Sequence, residues 1–127
     1  MDNFRHLTVW QRAHALSVTI NRHARDFPWY ERTELGSQMR RSSTSVPFSI
    51  AEGCGRKAAK RSNADLLHRL SISSGSLHEL DNQIEYAGDV EYLPRTSVMP
   101  LLEEVDQIRR MPASFTRAMR EGDRHAR

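Results

Sequence analysis

The sequence has one cysteine, no long apolar run and no alternation of apolar and polar residues typical of strands. With Cys54 as its only cysteine, the chain cannot form an intrachain disulfide. No apolar run approaches the roughly 18 residues that a membrane-spanning helix requires. The first five residues, from Met1 to Arg5, lack the basic segment and apolar stretch of a secretory signal. We therefore expect a cytoplasmic protein.

Catalytic and metal-binding patterns are also missing. A di-iron site in a helix bundle needs Glu-x-x-His on two helices, and the nearest approach is a single Asp65-x-x-His68. The segment Gly53-Cys54-Gly55 has neither the spacer nor the Lys-Ser/Thr ending of a phosphate-binding loop. No histidine close in sequence accompanies Cys54, as a nucleophilic cysteine would require. We predict a protein that is not an enzyme and that binds no metal or cofactor.

What the sequence does contain is helical periodicity. Its 127 residues are 38% hydrophobic and 28% charged, which suits one domain with one core. Apolar residues recur at steps of three and four in four segments, the pattern of amphipathic helices. They are Val9, Ala13, Leu16, Ile20 and Phe27; Leu35, Met39, Val46 and Ile50; Leu66, Leu70, Ser73, Leu77, Leu80, Ile84 and Ala87; and Val98, Leu101, Val105, Ile108, Phe115 and Met119.

Local signals place the ends of these segments. The first ends at Phe27-Pro28, because the residue before a proline avoids helical geometry, and the second stops near Gly53. The third runs from a capping box at Ser62 to an end near Gly88. In the fourth, Pro112 predicts a kink or an early stop. We predict an all-α fold, an antiparallel up-and-down four-helix bundle over residues 1–120, followed by a mobile polar tail over residues 121–127.

Two further features concern packing. The second segment carries a polar stripe, formed by Gln38, Arg41, Ser45, Ser49 and Glu52. This stripe is either a solvent-facing side or a polar layer or subunit interface, and we assign Gln38, Arg41, Glu52 and Glu79 to a structural polar network. In the third segment, Gly75 lies mid-helix, where glycine costs roughly 1 kcal/mol relative to alanine. We expect another backbone to pack closely there.

Charge is divided unevenly along the chain. Residues 1–61 hold 11 Arg and Lys against 5 Asp and Glu, whereas residues 62–127 hold 8 against 11. This basic excess is either a solvated surface or a nucleic-acid-binding surface. For phosphate contact we select the basic residues Arg40, Arg56, Lys57, Lys60 and Arg61. The neighbouring aromatics Trp29 and Tyr30 suit either base stacking or closure of one end of a bundle.

Several short motifs occur in an order that matches a known family. They are Phe4-x-x-Leu7-x-Val9-Trp10-Gln11-x-Ala13, Phe27-Pro28-x-x-Glu31, Gln38-x-Arg40-Arg41, Ser45-Val46-Pro47, Ile50-Ala51-Glu52-Gly53, Gly75-Ser76-Leu77-x-Glu79-Leu80 and Tyr92-Leu93. The chain resembles the small four-helix-bundle proteins encoded within intervening sequences of bacterial large-subunit ribosomal RNA genes. Two features depart from the family pattern: Ser49 replaces the usual Asn, and the segment from Arg56 to Asp65 is about four residues longer.

The resemblance implies properties that the residues alone do not. It implies that the second helix continues through Pro47 with a bend, and that the chain assembles into a homopentamer. A related protein, the accessory protein of diversity-generating retroelements, is a pentamer that binds nucleic acid and a reverse transcriptase. We therefore expect a non-catalytic accessory or scaffold protein whose partners are RNA or DNA and a nucleic-acid-processing protein. The alternative is a protein–protein interaction module with no nucleic-acid role.

Overall fold

The described part of the chain is built from helices. A computed structural model describes residues 4–55 and 63–111. A 3₁₀ turn at Phe4–His6 precedes five helices: α1 (Thr8–Arg25), α2 (Trp29–Arg32), α3 (Leu35–Gly55), α4 (Asn63–Asp89) and α5 (Arg95–Arg109). Within the described residues no strand occurs. Since α2 is a single turn, the four long helices confirm the predicted all-α four-helix bundle.

Each of the four long helices packs on two of the others. Helix α1 packs on α3, α3 on α4, α4 on α5, and α5 returns to α1. Contacts between α3 and α4 run in opposite directions along the two helices, because Ser45 bonds Ser76 and Glu52, later in α3, bonds Arg69, earlier in α4. Arg12, near the start of α1, likewise pairs with Glu104, near the end of α5. These neighbours are therefore antiparallel.

Helix α3 passes through Pro47 without a break, and the bend lies within this helix. Proline has no backbone N–H, so the Ser43 carbonyl lacks its usual donor four residues ahead. One turn earlier, the hydroxyls of Ser43 and Thr44 both donate to the Arg40 carbonyl, at 3.1 and 2.9 Å. Hydroxyl bonds of this kind often accompany helix bending. The run of hydroxyl residues before the proline is thus compatible with a long, bent helix.

The predicted apolar faces form the core. Phe27, Ile20 and Met39 are among the largest fully buried side chains. The predicted apolar residues whose side chains are described are buried, apart from the half-buried Leu35. The core cluster contains Val9, Ala13, Leu16, Ile20, Phe27, Met39, Val46, Ile50, Leu77, Leu80, Ile84, Ala87, Leu93, Val98, Leu101, Val105 and Ile108. One core therefore joins all four long helices.

The helix ends lie near the predicted positions. Helix α1 ends at Arg25, and the N–H of Phe27 closes the turn on the Ala24 carbonyl at 3.2 Å. Helix α4 ends at Asp89, next to the predicted Gly88. Helix α5 ends at Arg109. Ser62, Pro112, the later part of the fourth segment, the limit at residue 120 and the tail all lie outside the described residues.

Among the described residues, the close backbone approach predicted at Gly75 is absent, so that prediction is wrong for this part of the chain. Gly75 is exposed, and apart from its own turn of helix no atom there lies within 4 Å of the position that a Cβ would occupy. Close packing occurs instead at the buried Gly88, where a Cβ would lie 2.6 Å from Cγ2 of Val98. The glycine that allows two helices to approach is therefore the one at the α4–α5 end.

Candidate functional site

A polar groove of about 320 Å³ lies between α3 and α4. Its lining residues all carry hydrogen-bonding side chains: Gln38, Arg41, Ser42, Ser45, Ser76, Glu79 and Gln83. Ser76 donates its hydroxyl hydrogen to the Ser45 hydroxyl at 2.8 Å, which joins the two walls. The groove follows the polar stripe predicted on the second segment, because that stripe faces α4.

The four residues assigned to a polar network lie in two places. Gln38, Arg41 and Glu79 line the groove. Glu52 lies further along α3, where its carboxylate accepts a hydrogen bond from Nη1 of Arg69 at 2.8 Å. The Arg69 side chain is only 8% exposed. Within the described residues the Arg41 guanidinium makes no ion pair with Glu79, so the network's structural role stays a prediction.

One acceptor in the groove wall lacks a donor. The Oε1 atom of Gln83 is buried and has no hydrogen-bond partner among the described residues. The same holds for Oγ of the buried Ser73 on α4. Leaving a buried polar atom unsatisfied costs roughly 1–3 kcal/mol. A molecule that fills the groove could supply the missing donor to Gln83.

Exposed apolar residues flank the groove on both helices. Phe48 follows Ser45 by three residues on α3, and its side chain is 66% exposed. On α4, Ile72 precedes Ser76 by four residues and Tyr86 follows Gln83 by three, with exposures of 42% and 56%. Residues three or four apart on a helix are neighbours on its surface. We call Phe48, Ile72 and Tyr86 the apolar rim of the groove.

Only one residue of the predicted phosphate-contacting set lies in the described part of the chain. Arg40 is half-buried, and its Nη2 donates to the Arg32 carbonyl at 3.0 Å. Arg56, Lys57, Lys60 and Arg61 lie outside the described residues. Their role in nucleic-acid binding therefore stays a prediction.

Positive and negative residues are separated more completely between individual helices than between the two halves of the sequence. Helix α1 contains Arg12, Arg22 and Arg25 and no Asp or Glu. Between residues 70 and 94, which cover most of α4, there is no Lys or Arg. That segment carries Glu79, Asp81, Glu85, Asp89 and Glu91. Because α1 packs mainly on α3 and α5, opposite charges belong to helices that are not principal neighbours.

One arginine of α1 is neutralised within the bundle. Arg12 donates from Nε and Nη2 to the Glu104 carboxylate, at 2.9 and 2.6 Å. This two-point bond raises the pKa of the Arg12 guanidinium, while burial acts in the opposite direction. Arg22 and Arg25 are exposed in the last turn of α1. These two residues are not among those predicted from sequence to contact phosphate, although the lack of carboxylates over residues 8–25 was a visible signal.

Helix α2 presents two aromatic side chains at the surface. Trp29 is 78% exposed and Tyr30 is 54% exposed. Their rings meet edge to face, with centroids 5.7 Å apart. Behind them, the Tyr92 ring lies 5.5 Å from the ring of the buried Phe27. Burial raises the pKa of Tyr92, and Glu31 and Tyr30 raise it further.

A comparison with protein families assigns the chain. Residues 5–114 match the profile of the 23S rRNA-intervening sequence protein family. The chain belongs to this family. A comparison with curated protein sequences gives no match. The match to the 23S rRNA-intervening sequence proteins confirms the resemblance on which the sequence analysis relied.

The two departures from the family pattern fall in different parts of this member of the family. Ser49 is half-buried on α3, in the stripe that leads from the groove to Glu52. Of the longer segment between Arg56 and Asp65, residues 56–62 lie outside the described residues. The structure therefore places the first departure beside the groove.

Residues 4–55 and 63–111 contain neither a metal-binding cluster nor a membrane-spanning helix. No group of three or more His, Cys, Asp or Glu side chains there is arranged to hold a metal ion. None of the described helices is long and apolar enough to cross a membrane.

Proposed function

We propose that the protein is a non-catalytic, homopentameric accessory or scaffold protein whose basic surface binds RNA or DNA. The observation that carries this proposal is the division of charge, with an acid-free α1 on one side and a segment without Lys or Arg on the other. Exposed arginines such as Arg22 and Arg25 can attract phosphates. Five copies at +3 each would carry about +15 and attract a polyanion at moderate salt.

The groove between α3 and α4 supports the assembly part of the proposal. Its apolar rim exposes Phe48, Ile72 and Tyr86, and its wall contains the unsatisfied oxygen of Gln83. A subunit that packs here would bury the rim and donate to that oxygen. Aromatic side chains with a few polar groups are typical of interface centres.

Sedimentation tests the assembly. A pentamer of 14.7 kDa subunits has a mass of about 74 kDa. The variant Phe48→Asp places a charge in the rim, so we expect smaller species with unchanged helical circular dichroism. Met99→Asp is the matched control, because Met99 is 59% exposed on α5 and lies outside the rim. If Phe48→Asp leaves the mass unchanged, or if the wild type is not pentameric, the proposed assembly fails.

A charge-neutralising variant tests the binding surface. The triple change Arg56→Gln, Lys57→Gln and Lys60→Gln removes three of the predicted phosphate contacts. Each lost contact lowers the slope of log K against log salt by about 0.7 for single strands and 0.9 for B-form duplex DNA. We therefore expect a slope shallower by about 2 to 3, together with weaker binding and an unchanged assembly mass. An unaltered slope contradicts this surface assignment.

The matched control removes the same charge elsewhere. Arg95, Arg109 and Arg110 each pair with a carboxylate at the ends of α5, Arg95 with Asp89 and the other two with Asp106. Changing all three to Gln removes three positive charges while leaving the proposed surface intact. We expect a smaller loss of affinity than from the test variant. Equal losses would indicate that only net charge matters.

The second candidate is a protein–protein interaction module with no nucleic-acid role. It is favoured by the same charge division, because the basic α1 could pair with an acidic surface on a partner or on another copy. Salt titration separates the two, since nucleic-acid binding weakens steeply with salt and a largely apolar interface does not. Assembly without any salt-sensitive nucleic-acid binding would favour this candidate.

A further inference from the structure

We infer that Trp29 and Tyr30 form a stacking platform for an unpaired base of single-stranded nucleic acid, with Arg25 and Arg32 contacting the adjoining phosphates. This inference rests on the proposed nucleic-acid function and adds a preference for single strands and a site. The site differs from the basic residues between Arg56 and Arg61.

The Trp29 ring is exposed to solvent and lies on a helix that packs against the bundle. At 78% exposed, it has the highest exposure of the large apolar side chains in the described residues. The Tyr30 ring meets it edge to face, which leaves a face of the indole open to solvent. Both aromatic residues belong to α2, which packs on α3. The pair is therefore carried on a helix that contacts the bundle rather than on a free loop.

Arginines border the aromatic pair. Arg32 follows Trp29 by three residues in α2, so the two side chains lie on neighbouring positions of one turn. The Nε of Arg32 donates to the Phe27 carbonyl at 3.1 Å, which fixes the side chain while its terminal nitrogens remain as donors. Arg25 is exposed at the end of α1, four residues before Trp29. Fixed donors beside an open ring suit a phosphate next to a stacked base.

Acidic groups near the platform balance its arginines. Residues 22–34 contain three arginines and three carboxylates, those of Asp26, Glu31 and Glu34. Glu31 is half-buried and its carboxylate accepts a hydrogen bond from the Leu35 N–H at 3.4 Å, which turns it toward α3. Asp26 is exposed at the end of α1. Stacking, rather than net charge, therefore carries the interaction.

Single strands fit this surface better than a duplex. An unpaired base offers a free face to an aromatic ring, whereas the bases of a duplex already stack on one another. The combination of arginines with exposed aromatics is typical of proteins that bind single strands without sequence preference.

The test compares variants of the full chain on two probes, a labelled single-stranded RNA and the duplex of the same sequence. Truncation of a stacking aromatic weakens single-strand binding by about 5- to 150-fold. We expect Trp29→Ala to show a loss in this range for the single strand and less than about twofold for the duplex. Trp29→Phe should retain most of the affinity. Met99→Ala is the matched control, as another exposed apolar residue far along the chain.

Tryptophan fluorescence gives a second measurement on the same complexes. The other tryptophan, Trp10, is half-buried and stacked on His14 at 4.5 Å. Stacking on Trp29 should quench its emission when the single strand is added, and Trp29→Phe should remove that quenching without abolishing binding.

Four outcomes would overturn the inference. Unchanged affinity of Trp29→Ala together with no quenching refutes the platform and leaves the proposed nucleic-acid function standing. Equal losses for single strand and duplex refute the single-strand preference. A changed sedimentation mass for Trp29→Ala assigns the aromatic pair to subunit contact instead. If the wild type binds neither probe, the proposed function fails, and this inference fails with it.

Discussion

Replacing Gly88 by alanine tests how the α4–α5 end is packed. An added Cβ would lie 2.6 Å from Cγ2 and 3.6 Å from Cγ1 of Val98. Carbon atoms in contact lie about 3.5–4.0 Å apart, so the first distance is short by about 1 Å. Val98 is only 2% exposed, and a β-branched side chain in a helix has one strongly preferred rotamer. Neither residue can move away without disturbing the core.

The expected free-energy change has two parts. Overpacking a core typically costs about 1–3 kcal/mol, while alanine gains at most about 1 kcal/mol over glycine in helix propensity. We therefore expect Gly88→Ala to lower the free energy of unfolding by about 1 kcal/mol. In a Val98→Ala background both γ carbons are gone, so the same change should become neutral or stabilising. The coupling between the two positions should then be about 1–2 kcal/mol in favour of the double variant.

Urea denaturation of the four proteins in this cycle, followed by circular dichroism, measures these quantities. Protein concentration must be fixed, because assembly contributes to apparent stability. If Gly88→Ala has the same effect in both backgrounds, to within about 0.3 kcal/mol, the steric argument is refuted. Stabilisation by Gly88→Ala in the wild-type background would refute it equally.

Three other changes have expected outcomes. Gly75→Ala should stabilise the fold by about 0.8–1.0 kcal/mol in urea denaturation, since its side-chain position is open; destabilisation would mean that another chain packs there. A double-mutant cycle on Arg12 and Glu104, which are 35% and 32% exposed, should give about 0.5–1 kcal/mol that falls with added salt; no coupling at low salt would contradict the contact. The hydrogen bond from Arg109 is the main cause that lowers the pKa of Asp106 below its ordinary value of 3.8. Its contribution is therefore present above that value and lost as pH falls through the lower folded pKa. Asp106→Asn should flatten the stability profile below about pH 4 in acid titration, and an identical profile would contradict this.

Helical periodicity was sufficient to predict the fold. The apolar residues predicted to face the core in the first segment are all buried: Val9, Ala13, Leu16, Ile20 and Phe27. Their spacing predicts the buried face without knowledge of what covers it. The end of α4 was readable from Gly88 and Asp89, since glycine is common where helices stop. The continuation through Pro47 came only from the family resemblance, because proline alone predicts a break.

The sequence was less informative about sites. The polar stripe predicted a polar face on α3. It did not predict that Ser76 and Gln83 of α4 form the opposite wall of a groove. Such pairing depends on helix register, which single-helix periodicity does not contain. The error at Gly75 has the same origin. The low helix propensity of a glycine is visible in the sequence, whereas the presence or absence of a closely packed neighbour is not. The exposure of Trp29 could not be predicted either, because an aromatic residue between two helices can pack on the core or extend into solvent.

Salt-dependent binding is the most direct test of the proposed nucleic-acid-binding function. The measurement is the fluorescence anisotropy of a labelled single-stranded RNA titrated with nuclease-treated wild-type protein, at several salt concentrations between about 50 and 200 mM. If the protein binds nucleic acid through a basic surface, log K should fall linearly with log salt, by about 0.7 for each phosphate neutralised. Absence of binding at the lowest salt, or an affinity that salt does not change, would contradict it.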